Sequence, residues 1–304
     1  MITLELVGKL NTSEWDELKR FIDFNSPRIR KDVYLVLDIL KNHAANPVGP
    51  HPTRLEIHDE LYPKSEFNDK AIRYLLTDLN KLIFYFFSYK QLNSNQYQNQ
   101  LLLLQELSDR KCHRAFEKTY NQELKKLDSG GRADTGVLFY KYRLHSLKAK
   151  SELESGQRSS DVFEESSIYL DNYFVAKKLQ ISAEKINLNF ILKKDWRDPF
   201  LSNILRQIDQ GLFESSPYIR LYRLIIKSLT EQDNEAVFEQ LKAQVPQSIN
   251  QLSLSELADL YQYLLNYCIR RINAGRLKFQ DELLSVYRSA LGRNALFTDG
   301  RISP

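Results

Sequence analysis

Five histidines, two cysteines and several adjacent carboxylates are the groups in this chain whose types could do chemistry. A metal site on a helix needs two ligands on one face, which His-x-x-x-His or Cys-x-x-Cys spacing supplies. His43, His51, His58, His113 and His145 include no such pair, and a helix turns the neighbours Cys112 and His113 to different sides. Nucleophilic catalysis is no better served: there is no Gly-x-Ser-x-Gly elbow, and Cys112 has no patterned base. Glu164 and Glu165 are adjacent, so they diverge around a helix and cannot share a substrate. The reading offers no catalytic, metal-binding or cofactor-binding residue, and the expectation is a protein that is not an enzyme.

What remains is phosphate recognition. Basic clusters stand at 109–114 ("DRKCHR"), 177–185 ("KKLQISAEK"), 192–197 ("LKKDWR") and 270–276 ("RRINAGR"). The formal net charge is only +4, from 43 basic and 39 acidic residues, so no overall field marks the chain as a nucleic-acid binder. Lys and Arg interleaved with Glu and Asp read as solvated helix faces. The sharpest alternative is a helix-turn-helix over residues 53–83. There "TRLEIHDEL" would be the first helix and "NDKAIRYLLTDLNKLI" the recognition helix, with Lys70, Arg73, Thr77, Asn80 and Lys81 toward the groove. Against it, the connection "YPKSEF" is longer than the usual turn of about 3–4 residues, and helix resumes where a wing would follow.

The elements that must position these groups are helices. The sequence has 10 Gly and 9 Pro in 304 residues, too few for a chain built on tight β-turns or glycine-lined phosphate loops. Aromatic residues make up 12% of it, which argues for a packed core. Thr12 or Ser13 suits the cap of a first helix with Trp15, Leu18, Phe21 and Ile22 on one side. A second helix is expected over 30–45, followed by a break at "NPVGPHP", and Thr53 with Glu56 forms a capping box for a short third. From Asn68 the stripe Ile72, Leu75, Leu76, Leu79, Leu82, Ile83 and Phe86 persists, and Phe84, Tyr85 and Phe87 add a second apolar face. A helix apolar on most sides belongs in an interior, so this segment is expected to be the hub of the N-terminal region.

After the polar tract "QLNSNQYQNQ" one long helix is expected from Leu101 to "DSGGRAD", whose glycine pair is the best linker. Beyond it the pattern predicts helices at 135–155, 161–194, 198–211, 217–230, 234–244, 254–274 and 280–291, broken at "SGQRSS" and "DWRDP". The division expected is therefore an N-terminal helical subdomain, 1–128, and a helical-repeat region, 134–304. The N-terminus has no basic start with an apolar core after it, and no apolar run reaches the roughly 18 residues of a membrane span. These point to a soluble, cytoplasmic protein with no membrane partner. Cys112 and Cys268 are expected to be reduced and mostly buried.

Two stretches, "YPKSEFNDKAIRYLLTDLNKLIFYFF" and "LSELADLYQYLLNYCIRRINAGRLKFQDELLSVYRSALGRNALFTDGRISP", resemble uncharacterised all-helical, tetratricopeptide-like proteins of Bacteroidota, most strongly in "LLNYCIRRINAG". The resemblance implies an all-helical, tetratricopeptide-like fold in a bacterial protein and carries over no functional residues. It also implies that such chains continue past a motif like "GRISP".

The expected fold is all-α: an irregular helical-hairpin solenoid, tetratricopeptide-like, behind an N-terminal helical subdomain. The expected function is a non-enzymatic helical scaffold mediating protein–protein interaction. The alternative is a nucleic-acid-binding regulator using Lys70, Arg73 and Lys81. The stripe Leu257, Leu260, Tyr261, Leu264, Leu265, Cys268 and Ile269, with Leu283, Leu284 and Tyr287 behind it, is expected to stay partly uncovered. That makes the C-terminal helices the expected route to a homo-oligomer.

Overall fold

Side-chain caps set several of the helix starts in the structure, a computed structural model that describes residues 1–26, 29–45, 51–156, 160–192, 198–213, 216–231, 234–293, 295, 297–298 and 301–302. Among these residues the chain forms fourteen α-helices: α1 (Ile2–Val7), α2 (Thr12–Asn25), α3 (Lys31–Ala45), α4 (Arg54–Leu61), α5 (Asp69–Ser94), α6 (Gln96–Asp109), α7 (His113–Ser129), α8 (Thr135–Glu154), α9 (Ser160–Leu192), α10 (Leu201–Asp209), α11 (Pro217–Thr230), α12 (Glu235–Ser248), α13 (Leu254–Asn273) and α14 (Phe279–Leu291). Near the C-terminus β1 (Phe297–Thr298) and β2 (Arg301–Ile302) pair antiparallel, Phe297 with Ile302 and Thr298 with Arg301. The fold is all-α, and no helix among the described residues is long and apolar enough to cross a membrane. The expected breaks at "NPVGPHP", "SGQRSS" and "DWRDP" fall largely outside the described residues.

Capping boxes close the N-termini of α4 (Thr53 with Glu56) and α13 (Ser253 with Glu256), while Asn68, Asp134 and Ser216 cap α5, α8 and α11. The cap of α2 is Asn11 with Glu14, one residue ahead of the expected Thr12 or Ser13. At the other end of α13, Gly275 has φ +83°, a left-handed conformation in which a side chain would be strained. The single long helix expected from Leu101 is two. Between α6 and α7 Lys111 sits at φ 57°, its amide reaching the Ser108 carbonyl at 2.8 Å while the Cys112 amide reaches that of Leu107 at 2.8 Å. That is the Schellman closure of a helix end, here with lysine in the place glycine usually takes, which is why the pattern did not reveal it.

The packing divides the chain into Met1–Asn99 and Gln100–Pro304. The division falls inside α6, whereas the glycine pair had suggested 128–134. In the first unit α5 packs against α1, α2, α3 and α4. Its buried stripe is Ile72, Leu75, Leu76, Leu79, Leu82, Ile83 and Phe86, closed by Trp15, Leu18 and Ile22 of α2 and Val33, Val36, Leu37 and Leu40 of α3. Of the expected second face of α5 only Phe87 reaches the core, half-buried against it, while Phe84 and Tyr85 are 50% and 67% exposed. One layer of neighbouring helices covers one side of α5, and the aromatics on the other side are left outside it.

In the second unit α7 packs on α8, α8 on α9, α9 on α10 and α11, α11 on α12 and α13, and α13 on α14. Tyrosines fill much of this core. Tyr218 stacks on Tyr222 at 4.7 Å, and Phe238 stacks on Tyr267 at 4.5 Å with Phe279 edge-on to both. The stripe of α13 is covered on both sides, by α11 and α14, so Leu257, Leu260, Tyr261, Leu264, Leu265 and Cys268 are buried and only Ile269 of the expected set is exposed. On α14, Leu284, Tyr287 and Leu291 also stay exposed.

Candidate interaction surfaces

Lys70, Arg73 and Lys81 all lie on the outer side of α5 and all are exposed. Acids on the same helix answer two of them. Arg73 Nε is 3.2 Å from Asp69, which also meets Arg54 at 3.0 Å, and Lys81 Nζ is 3.1 Å from Asp78. Lys70 Nζ stands 5.9 Å above the Tyr74 ring. The other two expected groove residues do not point outward as free donors. Thr77 Oγ1 donates to the Arg73 carbonyl at 2.7 Å, and Asn80 is half-buried with Oδ1 lacking a partner among the described residues.

Aromatic residues, which the reading had assigned to the interior or passed over, share this side of α5. Tyr74, Phe84, Tyr85 and Tyr89 are each at least half exposed. Around the end of α5 the surface continues into an open cleft of about 750 Å³ against α2, floored by Phe21 and Phe86 and rimmed by Phe24, Tyr89, Arg20 and Lys90. Phe21 lies 5.7 Å from Phe86 and 5.2 Å from Tyr89, while Phe24 at the rim is 86% exposed. Lys90 bridges Glu17 at 2.9 Å and Glu14 at 3.2 Å, and those carboxylates hold its ammonium above the ordinary lysine range. Glu14 is held low, first by the Asn11 amide it accepts from in the capping box. The cleft therefore offers aromatic surface with the Lys90 charge paired by Glu14 and Glu17, a lining suited to apolar side chains.

The titratable groups of the second unit converge on His145. Its Nδ1 lies 2.9 Å from Glu165 and 3.1 Å from the Tyr120 hydroxyl, and its ring stacks on Tyr169 at 4.8 Å. Burial lowers its pKa, and the Glu165 carboxylate works against that shift. The side chain is 3% exposed and Nε2 is buried without a partner among the described residues, so the imidazole has no open face for a substrate. Glu123 is buried likewise, accepting from Tyr140 Oη at 3.0 Å and pairing with Lys126 at 2.5 Å. Glu165, itself 53% exposed, reaches His145, and the neighbouring Glu164 is exposed without sharing that contact.

The cysteines separate as well: Cys112 is exposed, against expectation, and Cys268 is buried, its thiol pushed up to about 12 by desolvation. Among the described residues no group of three or more His, Cys, Asp and Glu is arranged to hold a metal ion. Of the basic clusters, Arg110 pairs with Glu106 and buried Arg271 with Glu235, while 193–197 lie outside the described residues. Compared with known proteins, the chain matches no family model, no curated protein and no solved structure.

Proposed function

We propose that this protein is a non-enzymatic, cytoplasmic helical scaffold that docks another protein on the aromatic side of its first unit. The observation that carries the reading is the run of exposed Tyr74, Phe84, Tyr85 and Tyr89 continuing into the Phe21–Phe86 cleft. Large aromatic side chains with little rotamer entropy are the usual anchors of protein interfaces. In the second unit, the packed helix pairs α8–α9, α11–α12 and α13–α14 support a degenerate, tetratricopeptide-like solenoid of helical hairpins. A homo-oligomer through the C-terminal helices would use the narrow side of α14 bearing Leu284, Tyr287 and Leu291.

The second reading, nucleic-acid binding, is favoured by the placement of Lys70, Arg73 and Lys81 on one exposed side and opposed by Asp69 and Asp78 among them. One experiment separates the two. Affinity capture with the intact chain and with a Tyr74→Ser/Tyr85→Ser/Tyr89→Ser variant should lose a protein partner in the variant. Duplex DNA should bind only at the non-specific level of about 10⁻⁴–10⁻⁶ M at physiological salt. Sub-micromolar, sequence-selective DNA binding that Arg73→Ala abolishes would replace the first reading with the second.

A further inference from the structure

Asp16, Glu17 and Asp23 lie within about one helical turn of Arg20 on α2, and each is engaged elsewhere. Asp16 pairs with Lys41 at 3.1 Å, Glu17 with Lys90 at 2.9 Å, and Asp23 accepts from the Tyr34 hydroxyl at 2.7 Å. Arg20 keeps one long contact, from Nε to the Asp16 carbonyl at 3.4 Å, and its Nη atoms have no partner among the described residues. Of the charged side chains lining the open cleft between α2 and α5, Glu17 and Lys90 answer each other, and Arg20 is left without a counter-ion.

The surroundings of that guanidinium specify what complements it. Its planar fork of donors matches a carboxylate through two parallel hydrogen bonds. Phe24 stands one turn further along α2 and is 86% exposed, while Tyr89 lines the cleft from α5, 50% exposed and 5.2 Å from Phe21. A wholly apolar occupant would cover Arg20 and leave its charge desolvated and unpaired. A basic occupant would set like charges together, and a polyanion would run past Arg20 onto Asp16, Glu17 and Asp23. What fits is a single carboxylate beside apolar surface.

We propose, resting on the docking function above, that the cleft between α2 and α5 takes an acidic-apolar segment of the partner protein. A large apolar side chain of that segment enters against Phe21, Phe24 and Tyr89, and an aspartate or glutamate beside it is held by Arg20. The aromatic residues supply the contact area, and Arg20 selects which apolar segments can use it.

The test is a random peptide library, displayed within a carrier protein and selected on the full chain, whose enriched peptides are synthesised with both ends blocked and titrated by fluorescence anisotropy. Enriched peptides should carry an acid within about four residues of a large apolar side chain. Replacing that acid with lysine should weaken binding about tenfold, Arg20→Glu should do the same, and the lysine peptide should recover on the Arg20→Glu protein. Phe24→Ser should weaken every enriched peptide. Both positions are exposed, and unchanged helical circular dichroism of each variant checks the fold. No enriched peptide, enriched peptides without an acid, or binding indifferent to Arg20→Glu overturns the proposal. Arg20→Glu is also run beside the Tyr74→Ser/Tyr85→Ser/Tyr89→Ser variant in the affinity capture. A partner lost by the triple variant and kept by Arg20→Glu overturns the acidic segment and leaves the docking function standing, whereas a partner kept by both overturns docking as well.

Discussion

In the first unit the buried side chains are almost all aliphatic and converge on α5; in the second they include Glu123, His145, Glu152, Glu256 and Arg271, spread along successive helices. A hub helix surrounded by four others buries its stripe without help from polar groups. Thr3 and His58 are the polar side chains buried in the first unit among the described residues, and His58 lies between Tyr62 and Phe67, its Nε2 3.4 Å from Ser65 Oγ. A row of helices has fewer neighbours per element, so polar side chains reach across from one helix to the next. Glu256 does so twice over: it closes its own capping box on Ser253 and accepts from the Thr135 amide and hydroxyl at 3.1 and 2.9 Å, fastening α13 to α8. The difference teaches that hydrophobic convergence holds one unit and that polar contacts between helices, such as those of Glu123 and Glu256, help hold the other. Different substitutions should break each.

The largest effect is expected in the hub. Leu79 is 0% exposed at the middle of the α5 stripe, and Leu79→Asp leaves an unpaired charge there, at a cost of more than about 4 kcal/mol. In urea the first unit should unfold early, seen by proteolysis confined to residues 1–99; an unchanged midpoint would remove α5 from the centre of that unit.

A smaller loss is expected in the second unit when one polar contact is cut. Tyr140→Phe removes the hydroxyl that donates to Glu123 and leaves a buried carboxylate one donor short, worth about 1–3 kcal/mol. Changing Glu123 to Gln in the same background should recover part of it, since the carboxamide needs less compensation. A Tyr140→Phe protein as stable as the parent would show that the hydrogen bond contributes nothing.

Smaller still is the effect of pH on His145. Its pKa is depressed in the folded state, chiefly by burial, so between that value and the unfolded value of about 6.5 the unfolded chain binds the extra proton. Stability is therefore full above about pH 6.5 and falls below it, by at most about 1.4 kcal/mol per pH unit. Glu165, Tyr120 and Tyr169 face the ring, with Lys141 and Asp128 acting through space, and only Glu165 among the contacting groups favours the proton. Replacing His145 with Gln should flatten the slope between pH 7 and 5.5, and Glu165→Gln should steepen it.

The least change in stability is expected on the outer side of α5. Tyr85→Ser, at a site 67% exposed, should leave the melting temperature within the roughly ±0.5 kcal/mol typical of surface substitutions while impairing partner capture. A large loss of stability would mean that the aromatic side of α5 is packed rather than presented.

Much of the secondary structure was legible. The box Thr53/Glu56 falls where the sequence places it, because a cap is a contact three residues long and needs no tertiary partner. The same locality made the helices at 217–230 and 254–273 readable. The α6–α7 break was not, because lysine rather than glycine occupies the left-handed position. Nor was the aromatic surface: Phe84 and Tyr85 look like core residues in any pattern that scores only hydrophobicity.

Sequence by itself determined that this chain is helical, where most of its helices start and stop, and which stripe of each is apolar, since those depend on propensity, capping and a period of about 3.6 residues. Only the tertiary structure decided which apolar stripes are covered. Two sides of α5 and two of α9 are apolar, and in each case neighbouring helices reach one of them; α13, with the same kind of pattern, is closed from both sides by α11 and α14. The hydrophobic effect drives apolar surface out of water without naming the surface that will cover it, so the choice between core and interface lies in how many helices arrive, and from where.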